Sequence, residues 1–237
     1  METNQRNLEF EMALPNDCIQ INVGPTNRNF LIHKSLLCAT SKFFQRALKP
    51  SWADLRDSPN TLHLTEEDPE AFEIYIYWCY YHTLPARISQ STPSQENCVL
   101  LSKSYALGEI LLDIPFKNVI IDAFVAAACH EPAVERRWPK AKAISILYAG
   151  TPDESAGRRL MVDFWVWVAR EEWADRLEEY PREFLEDVLR CAMGGAGAGA
   201  GGVGFRGGIG GGKGKVEERP WVVNRGSYWE ELREPDA

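Results

Sequence analysis

The residues able to do chemistry in this 237-residue chain are four histidines, six cysteines, an excess of carboxylates and one glycine-rich run. His33, His63, His82 and His130 stand apart, without the i, i+4 partner or Cys-x-x-Cys pair that metal ligation requires, and Cys129-His130 is isolated. No Gly-x-Ser-x-Gly turn is present to expose an activated serine. Residues 197–202 fit a dinucleotide fingerprint and residues 207–213 fit most of a phosphate loop. Both chemistries need a strand that aims the loop and a helix whose amino terminus faces the phosphate. Here a helical pattern precedes, more glycine follows, and Gly214 stands where a magnesium-holding Ser or Thr belongs. The run from 194 to 214 therefore reads as a flexible linker. The expectation is a protein that is not an enzyme and takes no cofactor or metal; a small-molecule enzyme remains the least favoured alternative.

What remains is contact chemistry. Residues 30–44 pass from a short apolar strand, Phe30 to Ile32, into two helical turns whose Leu36, Leu37, Phe43, Phe44, Ala47 and Leu48 face one core. Ser41 is placed to cap the second turn. Residues 17–24 alternate Ile19, Ile21 and Val23 with Gln20 and Asn22, then reach Gly24-Pro25, which predicts a hairpin with Phe30 to Ile32. Asp17 and Lys34 fall at the ends of that hairpin. His33 is expected to anchor the following helix start by a hydrogen bond.

Asp68 and Pro69 open a helix in which Phe72, Tyr75, Ile76, Cys79 and Tyr80 share one face. Ile74, Tyr77, Trp78 and Tyr81 leave the other side apolar as well. A helix greasy all round needs cover on both sides, from the carboxy-terminal extension or from another chain. Residues 86–96 read as a loop. Helical periodicity from Val99 to Ala127 breaks at Pro115, predicting two antiparallel helices. A small apolar segment runs from Ala143 to Tyr148, and helical patterns follow from Arg158 and after Pro181.

A net charge of -8 without a dense basic patch argues against nucleic acid and acidic membrane as partners. The cysteines are scattered in apolar periodic segments, as expected of thiols in a reducing compartment. Residues 1–6 carry no apolar signal core, and no uncharged run approaches the ~18 residues that span a bilayer. A cytoplasmic or nuclear protein is expected.

The spacing Phe30, His33-Lys34, Leu37, Ser41, Phe43-Phe44 resembles the signature of the BTB (POZ) domain, a protein-interaction fold. Asp68-Pro-Glu-Ala-Phe-Glu73 with Trp78 and Leu84-Pro85, and Leu107-Gly-Glu-Ile-Leu-Leu-Asp113, resemble the form found in many filamentous-fungal proteins. The resemblance covers residues 17–129 and implies an α+β fold of short strands capped by a helical cluster, with a helical carboxy-terminal extension. The domain plan is a segment at 1–15 that alternates like an interface strand, a BTB/POZ domain at 16–130, the extension at 131–193, the linker at 194–214 and a tail at 215–237. The resemblance implies protein partners, either a second copy or a cullin. Asp17 and Lys34 match acidic and basic positions that line a charged pocket at the subunit boundary in many BTB dimers; His33 is a further interface candidate, with Tyr77, Trp78 and Tyr81 on the helix. Trp52 and Asp54 lie where cullin-binding members carry a hydrophobic-x-Glu motif, with Asp54 one methylene shorter than the usual glutamate. The tail, with Pro220-Trp221, resembles a family tail in which Pro-Trp is followed by Arg-Cys-x-Tyr-His. Gly226 and Trp229 replace that Cys and His, so a metal or redox role loses its ligands. An aromatic segment that docks on the domain is the remaining expectation for it.

Overall fold

Alternation along β1 (Cys18–Val23) buries Ile19, Ile21 and Val23 completely and turns Gln20 and Asn22 toward the other face. β2 (Arg28–His33) returns antiparallel, with Ile21 opposite Phe30 and Cys18 opposite His33. The intervening turn depends on Gly24, at φ 75°, where an added Cβ would sit 2.9 Å from Pro69 Cγ. β3 (Thr61–Leu64) lies parallel on the other side of β1, giving the order β2-β1-β3. The structure, a computed structural model, describes residues 17–49, 51, 60–89, 94–130, 138–168, 176–193 and 219–231. The alternating segment at 1–15, Trp52, Asp54 and the glycine-rich run lie outside those residues.

Helix α1 (Lys34–Thr40) leaves β2 directly, and α2 (Lys42–Ala47) follows after Ser41. The Ser41 hydroxyl accepts from Phe44 N at 3.1 Å and donates to Leu111 O at 2.6 Å, so one side chain caps the helix and ties it to a distant loop. Helix α3 (Pro69–Tyr81) starts as expected, with the Asp68 carboxylate accepting from the N–H groups of Glu70 and Ala71. The expected loop at 86–96 is instead partly helical: α4 spans Ala86–Ser89, and α5 (Gln95–Ile110) begins ahead of Val99 because Ser94 accepts from Asn97 N. Helix α6 (Ile114–Ala128) opens on Asp113, which accepts from Phe116 N.

Asp113 is fully buried, and its other oxygen accepts from Thr40 Oγ1 at 2.6 Å and Tyr75 Oη at 3.1 Å. The carboxylate thereby joins α1, α3 and α6 at one point, its charge compensated by three donors.

The extension comprises α7 (Ala141–Ala149), α8 (Ala156–Val168) and α9 (Arg182–Ala192). Helix α7 packs on α5, and α8 packs on α9 and α7. Arg158, nearly buried, spends its donors on Thr151, Asp153 and the carbonyl of Tyr148, which fixes the α7–α8 turn. The short α10 (Pro220–Val223) and a 3-10 turn at Arg225–Tyr228 lie on α8. A single apolar cluster runs from Ile19 to Tyr228, so sheet, helices and tail share one core.

Candidate interaction surface

Helix α3 presents two different faces. Ala71, Ile74, Tyr75, Trp78 and Cys79 point inward at i, i+3, i+4 spacing, while Tyr77, Tyr80 and Tyr81 point out. This corrects the expected division. Trp78 belongs to the core, 3% exposed with its ring 5.5 Å from Phe116, and Tyr80 moves from the inner set to the outer one. An all-round apolar helix gives periodicity nothing to choose between, and the register was set by long-range packing.

The outward tyrosines form a patch. The rings of Tyr77 and Tyr81 lie 4.6 Å apart, and Tyr81 is 64% exposed. His33 Nδ1 sits 2.8 Å from the Tyr80 hydroxyl, joining the end of β2 to the patch. His33 makes no side-chain cap to α1, contrary to expectation; its imidazole reaches across to α3 instead. Among the described residues, the extension packs on α5 through α7. Beside the patch, Arg28 stands over the Phe30 ring and meets Glu73, which also faces Arg87 at 3.8 Å. Leu31, 71% exposed, stands on the outward face of the sheet.

Asp17 and Lys34 come together at the mouth of the hairpin, where Lys34 N donates to Asp17 O at 2.6 Å. Their side chains part: the Asp17 carboxylate accepts from Ser35 Oγ at 2.7 Å, and Lys34 Nζ donates to Asn60 Oδ1 at 3.0 Å. Trp52 and Asp54 lie outside the described residues.

A second constellation, whose receptor residues sequence reasoning missed, surrounds the docked tail. Trp221 is fully buried among Trp138, Phe164 and Trp167, with its ring edge-on to Phe164 at 4.7 Å. The Tyr228 hydroxyl donates to Asp163. Glu230 accepts from Lys117 and from Tyr105 Oη. Burial, with Glu230 beside it, pushes the Tyr105 hydroxyl far above its ordinary pKa and keeps it a donor. Lys117 is itself nearly buried and pairs with Glu109 at 2.9 Å. The advance signal was the aromatic content of the tail; its partners lie far upstream, Asp163 65 residues before Tyr228 and Tyr105 125 residues before Glu230.

Reactive groups are quenched where they are buried. Burial pushes the Cys79 thiol up to about 12, and burial next to Asp163 pushes Cys191 up to about 11. Thiols held that high are protonated at neutral pH and are poor nucleophiles. Among the described residues no three His, Cys, Asp or Glu side chains gather to hold a metal ion, and no helix is long and apolar enough to cross a membrane. A cleft of about 250 Å³ lies between α4, α5 and α6. Its walls are Leu84, Ile88, Leu101 and Val119, and Asp122 at its edge is engaged by Arg225 and Trp229.

The BTB/POZ domain family profile matches residues 16–107, from the first strand into α5. This chain carries a BTB/POZ domain. The domain is α+β, with its three-stranded sheet capped by helices, and the helical extension and tail are built onto it. BTB/POZ domains are non-enzymatic modules for protein–protein contact, homodimers included, and the tyrosine patch on α3 lies within the BTB/POZ domain. Among curated proteins, none matches this chain.

Proposed function

We propose that this protein is a non-enzymatic interaction module that pairs with a second copy through its BTB/POZ domain and leaves its remaining surface to other proteins. The observation that carries this reading is the exposed patch of Tyr77, Tyr80 and Tyr81 beside His33, within a domain whose family works by protein contact. Tyrosines are amphipathic and lose little conformational entropy on contact, which suits them to an interface core. His33, Asp17 and Lys34 lie at the β2–α1 junction and supply polar groups around that core. The protein works in a reducing compartment inside the cell, a reading supported by its six free cysteines.

Mixing an affinity-tagged copy with an untagged copy tests the pairing. The untagged chain is expected to co-purify in a saturable amount. Its complete absence from the captured fraction, after time for exchange, would overturn self-association.

A further inference from the structure

The tail is held the way a peptide-binding protein holds its ligand. Asn118 reads the main chain at Glu230 from both directions: its amide nitrogen donates to Glu230 O at 3.0 Å, and its oxygen accepts from Glu230 N at 2.8 Å. Earlier in the segment the contact is aromatic, with Trp221 seated among rings and the Arg219 guanidinium lying 5.8 Å from the Trp138 centroid. Between these two anchors Arg225 and the Trp229 indole both bond Asp122. The segment contributes no strand to the sheet and makes no helix longer than one turn.

The receptor side is organised without the segment. Lys117 has Glu109 as a second partner, Trp138 packs edge-on against Phe164 at 5.5 Å, and α7 packs on both α5 and α8. Of the buried charges that the segment touches, Lys117 keeps Glu109, while Asp163 gives up the Tyr228 hydroxyl. The Trp221 indole N–H, by contrast, is buried with no acceptor among the described residues, so the anchor gives up part of what its burial gains. Residues 194–218, which hold most of the chain's 18 glycines, connect the segment to α9.

We infer that the groove formed by α5, α6 and α8 is a peptide-binding site, and that residues 219–231 are its tethered, exchangeable ligand. The ligand chemistry is an Arg-Pro-Trp anchor followed by Tyr-Trp-Glu, with the aromatic rings filling the cage and the glutamate meeting Lys117, Tyr105 and Asn118. Covalent attachment to the same chain raises the local concentration of the ligand, so modest intrinsic affinity keeps the site filled.

The test uses the full chain with a specific protease site inserted after Gly202. After cleavage, a fluorescein-labelled synthetic peptide of residues 216–231 is added and its anisotropy followed. The labelled peptide is expected to replace the clipped segment and to be competed off by unlabelled peptide. A W221A peptide is expected to compete at least ~30-fold more weakly, the loss of an interface anchor, and W221F to retain competition because the indole N–H makes no bond among the described residues. Failure of the label to enter over a day would overturn the inference. So would loss of the circular-dichroism signal of the body once the clipped segment has diffused away, because the tail would then be part of the fold and not a ligand.

Discussion

The hydroxyl of Tyr105 donates to the Glu230 carboxylate at 2.7 Å while accepting the backbone N–H of Gly157 at 3.0 Å. Tyr105 lies within the residues matched to the BTB/POZ domain, Gly157 lies in the first turn of α8 of the extension, and Glu230 belongs to the tail. One phenolic oxygen therefore links the three parts of the chain. Gly157 is suited to the junction, since a Cβ there would sit 2.7 Å from Tyr105 Cε1.

Replacing that hydroxyl isolates its contribution. Y105F keeps the ring in place and leaves the Gly157 N–H buried without a partner, at a cost of roughly 2–3 kcal/mol. A melting temperature lower by roughly 5–10 °C is expected in calorimetry for a chain of this length. A change within about 1 °C would show that the hydroxyl links nothing of consequence.

The Asp113 carboxylate is the corresponding point inside the domain. D113A leaves the Thr40 and Tyr75 hydroxyls and the Phe116 N–H without their acceptor, and the expected loss is roughly 3–5 kcal/mol of unfolding free energy. Urea denaturation measures it. A Thr40→Ala variant removes only one donor and is expected to lose much less.

The pH dependence follows from the carboxylates around Lys117. Burial raises the Glu109 pKa, Lys117 draws it back, and Glu230 adds to the rise. The folded chain binds this proton more tightly than the unfolded chain does, so the group favours folding increasingly as pH falls through its raised pKa toward the ordinary glutamate value near ~4.3. Burial likewise raises Asp113, which carries the same sign. Asp68 carries the opposite sign: burial pushes its pKa up, but hydrogen bonds from Lys103 and from the N–H groups of Ala71 and Glu70 bring it below the ordinary value. Its contribution is lost as pH falls through that depressed value. Melting temperatures measured from about pH 7 to about pH 4.5 are expected to show a smaller acid-side gain in E109Q than in the parent chain. Identical profiles would remove Glu109 as the source.

The caps were legible in the sequence because they are local. Ser41, Asp68 and Pro69 act within three residues of themselves, and each occupies its expected position. The hairpin was legible because strict alternation admits a single pairing of faces. The orientation of α3 was not, since Tyr and Trp occupied both sides and only Phe116, Tyr75 and the sheet could select Trp78 for the core. The tail receptor was hidden for a different reason. Lys117 and Asn118 read as ordinary polar residues on an amphipathic helix, and their role appears only when Glu230, more than a hundred residues later, is brought against them.

Self-association through the α3 patch is tested most directly by light scattering on the full chain at micromolar concentration, beside the Y77A/Y81A variant. Both tyrosines are exposed, so their removal is expected to change stability by no more than about 0.5 kcal/mol. The parent chain is expected to show twice its 26.8 kDa mass, and the variant to shift to the single-chain mass with its melting temperature preserved. A parent chain at the single-chain mass at every concentration, or a variant that pairs as tightly as the parent, would contradict it.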